Sequence, residues 1–271
     1  MNPYLRIVRP VNCLISLMAV WVLAVVVMGQ ELPREWFRVL LGSTAAAFVA
    51  AGGNVLNDYF DVEVDRVNHP DRPLVTGEIT KGEAEIYALA LFSAGMLFGF
   101  FTSLHAFIIV MVAEALLFLY EWRLKATGLP GNLTVSGLVG LLFLYGGAIF
   151  QRYDEIYVLA LMAFLSNAGR EIAKDVEDVE GDVDRRTLPR ILGTGRASFV
   201  AAIFYLAAVA LSPLPYLQGI FGLPYLLTVG VADAVFIYSA FLCPRDAGRA
   251  QRISKVAMVL GLIAFLAGGL T

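Results

Sequence analysis

Nine apolar runs dominate the chain and decide what it can fold into. They lie near residues 11–29, 38–60, 83–101, 105–121, 131–151, 155–175, 196–212, 221–242 and 253–270. Crossing the hydrocarbon core of a bilayer takes about 20 mostly apolar residues as a helix, and each run is near that length. In lipid, backbone N–H and C=O groups must pair within their own segment, so runs that are continuous rather than alternating are helices and not barrel strands. The first run follows Arg6 and Arg9. No small-residue cleavage pattern follows it, so it reads as a helix of the mature chain and not as a signal peptide.

Composition supports this reading. Of 271 residues, 59% are hydrophobic and 16% charged, against about 45–50% and about 25% in soluble domains. A soluble enzyme with one anchor, a disordered chain and a disulfide scaffold are all excluded. A net charge of −3 sets up no basic field for nucleic acid. Cys13 and Cys243 stand far apart and His69 and His105 are isolated, so the zinc spacings are missing. The expected fold is an all-α polytopic membrane protein, nine transmembrane helices in a bundle, with residues 1–271 forming a single domain.

Lysine and arginine set the orientation, because they are retained on the cytoplasmic side. With the N-terminus inside and nine spans, seventeen of the twenty fall in cytoplasmic segments; Arg34, Arg38 and Arg152 are the exceptions. Two cytoplasmic connections, about 61–82 and 174–195, are long and polar, and long connections in compact domains are usually functional. They are expected to cap a site at that face.

Each of these connections begins in carboxylates. The first stretch reads Asn54-Val-Leu-Asn57-Asp58-Tyr-Phe-Asp61-Val-Glu63-Val-Asp65. At 100° per residue, Asn54, Asn57, Asp58, Asp61 and Asp65 share an arc of about 100°, with Glu63 opposite. The second contains Asn167, Glu171, Asp175, Asp178 and Asp182, which form one stripe if the helix continues to Gly181. Two rows of carboxylates repel unless divalent cations bridge them. Mg²⁺ takes oxygen ligands, typically one or two carboxylates plus substrate phosphates. The residues therefore point to a Mg²⁺-bound polyphosphate at the cytoplasmic edge of a helical bundle. A divalent-cation pathway is the rival reading, but of the other acids only Glu114 and Asp233 lie deeper in the spans.

Cations accompany the acids. Arg72 sits in Asn68-His-Pro-Asp-Arg-Pro-Leu-Val-Thr-Gly77, whose prolines and glycine mark an ordered turn-rich segment; it is the arginine best placed to meet a leaving diphosphate. Lys174, Arg185, Arg186 and Arg190 surround the second stretch. At the end of the fourth run, Glu114, Glu121 and Lys125 fall within about 40° on a helical wheel. Lys125 either reaches back to the site or makes a plain i,i+4 pair with Glu121, worth about 0.3–0.5 kcal/mol. Asp233, in the eighth run, is expected to hydrogen-bond between helices.

These residues resemble the UbiA superfamily of intramembrane prenyltransferases over essentially the whole chain. Its first motif, Asn-x3-Asp-x3-Asp, is matched by Asn57, Asp61 and Asp65, with Asp58 adjoining; its second, Asp-x2-Asp-x3-Asp, by Asp175, Asp178 and Asp182. The resemblance implies that Mg²⁺ held by both motifs binds a prenyl diphosphate whose allylic carbon–oxygen bond ionises. It makes Asn57, Asp61, Asp65, Asp175, Asp178 and Asp182 metal and diphosphate residues, with Asp61, Asp65, Asp178 and Asp182 the catalytic carboxylates. Asp58 would assist in binding substrate, and Arg72, Lys125 and Lys174 would clamp the diphosphate.

Within the family, Asn-Asp-Tyr-Phe-Asp and Arg170-Glu-Ile-Ala-Lys-Asp-Val-Glu-Asp-Val-Glu-Gly-Asp182 are most similar to an archaeal branch of ether-lipid enzymes. That likeness implies transfer of a geranylgeranyl group to the sn-2 hydroxyl of 3-O-geranylgeranylglyceryl phosphate, whose phosphate suits Arg185, Arg186 and Arg190. Relatives with aromatic acceptors share both motifs and remain the alternative. The implied partners are geranylgeranyl diphosphate, a lipid-like phosphorylated acceptor and membrane lipid, with no obligate protein partner. The implied location is the plasma membrane, with N-terminus and active site cytoplasmic.

Overall fold

The structure, a computed structural model, describes residues 2–180 and 186–270. Among these it is helical, with no strand. In chain order the helices are α1 (Pro3–Ile7), α2 (Pro10–Met28), α3 (Trp36–Asn68), α4 (Pro73–Thr76), α5 (Lys81–Thr102), α6 (Leu104–Trp122), α7 (Leu129–Phe150), α8 (Tyr157–Glu177), α9 (Leu188–Leu192), α10 (Thr194–Leu211), α11 (Leu214–Leu217), α12 (Leu223–Leu242) and α13 (Ala247–Gly269). Every one of the nine apolar runs is a helix. Eight of them, all but α8, are long and apolar enough to cross a membrane. Helix α8 has 21 residues, but Arg170, Glu171, Lys174, Asp175 and Glu177 crowd its second half.

The chain gathers into two compact units. The first comprises Met1–Val22, Pro33–Trp122 and Ala148–Gln151. In it α3 lies along α5, and α6 packs on both. The link from α5 to α6 is the single residue Ser103. Its hydroxyl accepts the Ala106 N–H (3.0 Å) and donates to the Ala148 carbonyl (2.8 Å), so the tight turn has its polar groups paired, as lipid requires.

Helix α3 is the longest element, 33 residues or about 50 Å at 1.5 Å per residue. That exceeds a hydrocarbon core of about 30 Å, and the surplus carries the acids. The long loop expected from about residue 61 is corrected accordingly. The helix continues to Asn68, and His69 N–H still bonds the Asp65 carbonyl at 2.8 Å. Pro70 then ends it, since the residue before a proline is pushed out of the helical region; His69 has φ −144° and ψ 65°.

The segment after α3 is a packed cap. Arg72 precedes Pro73 at the start of α4, and Gly77 takes the left-handed conformation (φ +79°) that closes it. Leu74 and Ile79 are buried with Ile7, Val55, Val62, Ala84 and Ala88. Glu78 accepts hydrogen bonds from Arg6 and from Thr76 Oγ1 (2.9 Å). The bond from Arg6 is the main reason its carboxyl lies below the usual glutamate range. A lowered carboxyl pKa contributes stability above its unfolded value and loses it as pH falls through the folded one. The tie from α1 to the cap therefore holds at neutral pH and releases only on strong acidification.

Thr80 then caps α5 in a reciprocal box: its Oγ1 accepts the Glu83 N–H (3.2 Å) and Glu83 Oε2 accepts the Thr80 N–H (2.8 Å). Thr80→Ala is expected to lower stability by about 1 kcal/mol. A fall in Tm in detergent, with KM for substrate unmoved, is the corresponding measurement.

The second unit comprises Leu23–Leu32, Arg123–Gly147 and Arg152–Thr271. Here α8 packs on α10 and α13, and α12 on α10 and α13, around Ile172, Ala173, Ala197, Ala201, Cys243 and Ala250. Asp233 of α12 accepts from Ser212 Oγ (2.5 Å), the hydrogen bond between elements that its position led us to expect. Gly128 has φ +69° and lies so close to the Arg186 carbonyl that a side chain there would collide with it. Arg186 N–H in turn bonds the Ala126 carbonyl at 3.2 Å, pinning the end of the second acidic connection to the turn Leu124–Ala126.

The second acidic stripe is also corrected. Helix α8 stops at Glu177 and Asp178 is its C-cap, with φ −88° and ψ 3°, so the helix does not reach Gly181. Acids crowded at the negative end of a helix oppose its continuation. Asp182 and Arg185 fall outside the described residues.

Candidate active site: two acidic helix ends

Asn57, Asp58 and Asp61 lie about two to three turns before the end of α3; Asp65, and Asp175 and Asp178 of α8, lie in or beside a last helical turn, where backbone carbonyls put about half a negative charge. Carboxylates there are misplaced for helix stability by roughly 0.3–1 kcal/mol each.

In the first unit, α3 presents Asn57, Asp58, Asp61 and Asp65, and the acids divide into two sets. Asp58 and Asp65 are buried, with side-chain exposures of 3% and 5%, and Arg72 pairs with both, at 3.1 Å from Asp58 Oδ1. Arg9 adds a second contact to Asp58 Oδ1 at 2.5 Å. The cap that holds Arg72 is packed against the helix that holds these acids. Arg66, by contrast, is exposed and pairs with Glu63 at i,i+3.

Asn57 and Asp61 make up the other set, half-buried and facing differently. Asn57 Nδ2 donates to Asp61 Oδ2 and to Glu121 Oε1, each at 3.0 Å, and its Oδ1 accepts from Arg9 at 3.2 Å. Arg9 and Glu121 are the residues that reading the sequence missed. Arg9 counted only toward topology and Glu121 only toward a helical pair. In the structure Arg9 has a left-handed backbone, φ +51°, before Pro10, and such outliers cluster at functional sites.

In the second unit, Asp175 Oδ2 accepts from Asn132 Nδ2 of α7 at 2.7 Å. Ser136 Oγ donates to the Asn132 carbonyl (2.6 Å) and accepts from Asn167 Nδ2 (3.2 Å), so Asn167 is turned into α7 and away from the acids. Arg170 pairs with its neighbour Glu171. Glu177 is taken by Gln251 (2.9 Å) and Arg252 (2.6 Å) of α13. Asp175 and Asp178 are this end's motif acids among the described residues, and Lys174 beside them is exposed. Arg190 Nη2 holds the Val179 carbonyl at 3.1 Å, tying α9 to the chain just beyond. Asn132 was also missed, although a polar side chain early in an apolar run was its signal.

Lys125 does not extend the α6 wheel. That helix ends at Trp122, and Lys125 lies in the turn Leu124–Ala126, the turn that pins Arg186. The extended φ of Arg123, −136°, breaks the helical register before Lys125 is reached.

The donors are hard oxygens. Among the described residues no three His, Cys, Asp or Glu side chains gather closely enough to hold a metal by themselves. The pair Asn57 and Asp61, and the pair Asp175 and Asp178, match what Mg²⁺ uses when most of its shell comes from water and substrate phosphates. The donor set therefore fits a Mg²⁺ ion that shares its ligands with a bound substrate.

Long apolar helices ending in Asn- and Asp-bearing turns, with arginines already committed to those acids, define an integral membrane enzyme of the acid-motif kind. The chain belongs to the UbiA prenyltransferase family, whose pattern it matches over residues 16–267. It is 45% identical over 274 residues to the digeranylgeranylglyceryl phosphate synthase of Methanopyrus kandleri, covering 98% of this chain and 99% of that one. To the synthase of the same name from Thermococcus kodakarensis it is 40% identical, covering 98% of each. Among solved structures it resembles one described under digeranylgeranylglyceryl phosphate synthase in membranes, with TM-score 0.92, 33% identity and coverage of 99% and 98%. A UbiA homolog from Archaeoglobus fulgidus bound to DMAPP and Mg²⁺ shares the fold at TM-score 0.71 and 21% identity, covering 97% and 98%.

Proposed function

We propose that this protein transfers the geranylgeranyl group of geranylgeranyl diphosphate to the sn-2 hydroxyl of 3-O-geranylgeranylglyceryl phosphate, a step in building archaeal ether phospholipids. The likeness that carries this reading is the 45% identity across nearly the full length of the Methanopyrus kandleri synthase. The acceptor of the reaction is thereby preferred over an aromatic one. The whole chain, residues 1–271, acts as one domain.

The allylic carbon–oxygen bond breaks, diphosphate leaves, the ether bond forms to the acceptor oxygen and the hydroxyl proton is released. Asn57, Asp61 and Asp65 from α3, and Asp175, Asp178 and Asp182 from the second motif, are the residues that hold Mg²⁺ and the diphosphate. Mg²⁺, when bound, supplies neutralising charge to the departing diphosphate. Arg72 keeps Asp65 and Asp58 in place and presents positive charge to the same end of the substrate; Lys125 and Lys174 are the matching cations of the second unit. Arg186 and Arg190 meet the acceptor phosphate. Apolar helix surfaces enclose the prenyl chain and keep water from the allylic cation.

Helix α8 is the ninth span: its 21 residues extend about 32 Å, enough for a bilayer core, and its charges all fall at one end. The orientation we infer, with nine spans and the N-terminus and active site cytoplasmic at the plasma membrane, is supported by the seventeen of twenty lysines and arginines it leaves inside.

The test is transfer by the purified protein from radiolabelled geranylgeranyl diphosphate, with each acceptor offered in turn, with Mg²⁺ and with EDTA. The expected result is a labelled product with geranylgeranylglyceryl phosphate that EDTA abolishes. Labelling of 4-hydroxybenzoate instead would reassign the acceptor, and transfer unaffected by EDTA would remove the metal.

A further inference from the structure

Asn57 is the point where three elements meet. Arg9, from the link before α2, donates to its Oδ1 at 3.2 Å; Asp61 of its own helix and Glu121 of α6 each accept from its Nδ2 at 3.0 Å. The orientation of the amide is chemically determined. A guanidinium can only donate and carboxylates can only accept, so the flipped amide would set N–H against Arg9 and a carbonyl against two acids.

One NH₂ group thus serves two carboxylates, whose oxygens are no more than about 6 Å apart and would otherwise repel. Glu121 is held to this task by its helix. Phe60 of α3 meets Phe118 of α6 edge-on at 6.2 Å, and Phe118 meets Trp122 at 6.1 Å, a turn away from the Asn57 bond. Glu121 also lies in the last turn of α6, where the helix dipole disfavours an anion; its bond to Asn57 gives that placement a use.

We propose that Glu121 is a positioning residue of the first acidic site, acting through Asn57. By accepting one N–H it leaves the other on Asp61 and keeps the amide oxygen toward Arg9, so that Asn57 and Asp61 present one set of donor oxygens to the diphosphate end of the substrate. This rests on the function proposed above and extends it to a residue outside both motifs.

The experiment is a double-variant cycle on the full-length protein. It measures kcat/KM and the equilibrium Kd for geranylgeranyl diphosphate, together with the Mg²⁺ concentration for half-maximal rate. Glu121→Met, of similar length but unable to accept the bond, is expected to weaken both by about tenfold to a hundredfold, the worth of a hydrogen bond to a charged group, and to raise the Mg²⁺ requirement. Glu121→Gln, whose carbonyl still accepts, is expected to stay within about threefold of the parent protein. In an Asn57→Ala background, Glu121→Met should add no more than about twofold, because its route to the site is already gone. Glu121→Ala is run in parallel, with Tm in detergent, in case methionine disturbs the seam with α3.

Losses that multiply in the double variant, or parent-like behaviour of Glu121→Met, would overturn the role of Glu121 while leaving the transferase intact. A parent protein that neither binds nor transfers the diphosphate would instead bring down the functional reading, and this inference with it.

Discussion

Asp61→Ala and Asp178→Ala are each expected to abolish geranylgeranyl transfer, by about 10³-fold or more, in proteins that still insert and fold. Removing a single preorganised group that stabilises developing charge costs about 10²–10³ in rate in other enzymes, and a lost carboxylate also weakens the metal it shares with the substrate. The effect on folding is much smaller. Asp61 is half-buried, and without it Asn57 keeps its bonds to Glu121 and Arg9; the Asn57–Asp61 hydrogen bond that is lost is worth about 1 kcal/mol. Asp178 caps the negative end of α8, where deleting an acid favours the helix by about 0.3–1 kcal/mol through the dipole alone. Steady-state rates beside Tm in detergent separate the two quantities. Near-parental turnover in either variant would contradict a two-motif site, and parallel loss of Tm and rate would mean the acids serve the fold.

The membrane helices were legible because their signal is local. A run such as 83–101 announces a helix by length and apolarity, and the structure places α5 over Lys81–Thr102. The ends of the acidic helices were not legible in the same way. Past Phe60 only the helical spacing of the acids marks a continuing α3; Asp58 and Asp65, one heptad apart, share Arg72, a contact the linear pattern does not contain. For α8 the same acid pattern gave the opposite result. There Glu177 is drawn to Gln251 and Arg252 of α13, and the helix ends at Glu177.

The acids of the site were readable from their spacing, since i,i+4 and i,i+7 positions share a helix face whatever the rest of the chain does. Their partners were less so. Arg72 was found because proline and glycine around it marked an ordered segment. Arg9 and Asn132 reach their acids from other elements, 49 and 43 residues away in sequence, and only the packing of those elements selects them from the other polar residues. Lys125 lies past the true end of α6, in the turn Leu124–Ala126, so a helical wheel does not describe its position.

Arg72→Ala is expected to be the most destabilising single change at the site. Asp65 and Asp58 are almost fully enclosed and Arg72 reaches both. Arg9 still holds Asp58 at 2.5 Å in the variant, so Asp65 is the charge left buried without Arg72. Breaking a buried pair by removing one partner costs about 3–5 kcal/mol, which corresponds to a fall in Tm of roughly 6–20 °C for a chain of this size. Arg72→Lys should fall between, because an ammonium offers one point of contact where the guanidinium spans two acids. The decisive comparison is Arg72→Ala combined with Asp65→Asn. Neutralising the stranded acid should return most of the lost Tm, since the cost lies in the unpaired charge more than in the missing bond. Activity should not return, because the diphosphate end of the substrate still lacks its cation and Asp65 is no longer a carboxylate. A double variant as unstable as Arg72→Ala would mean that Arg72 supports the cap through its packing on the α4 turn, and that the buried acids bear no charge that needs it.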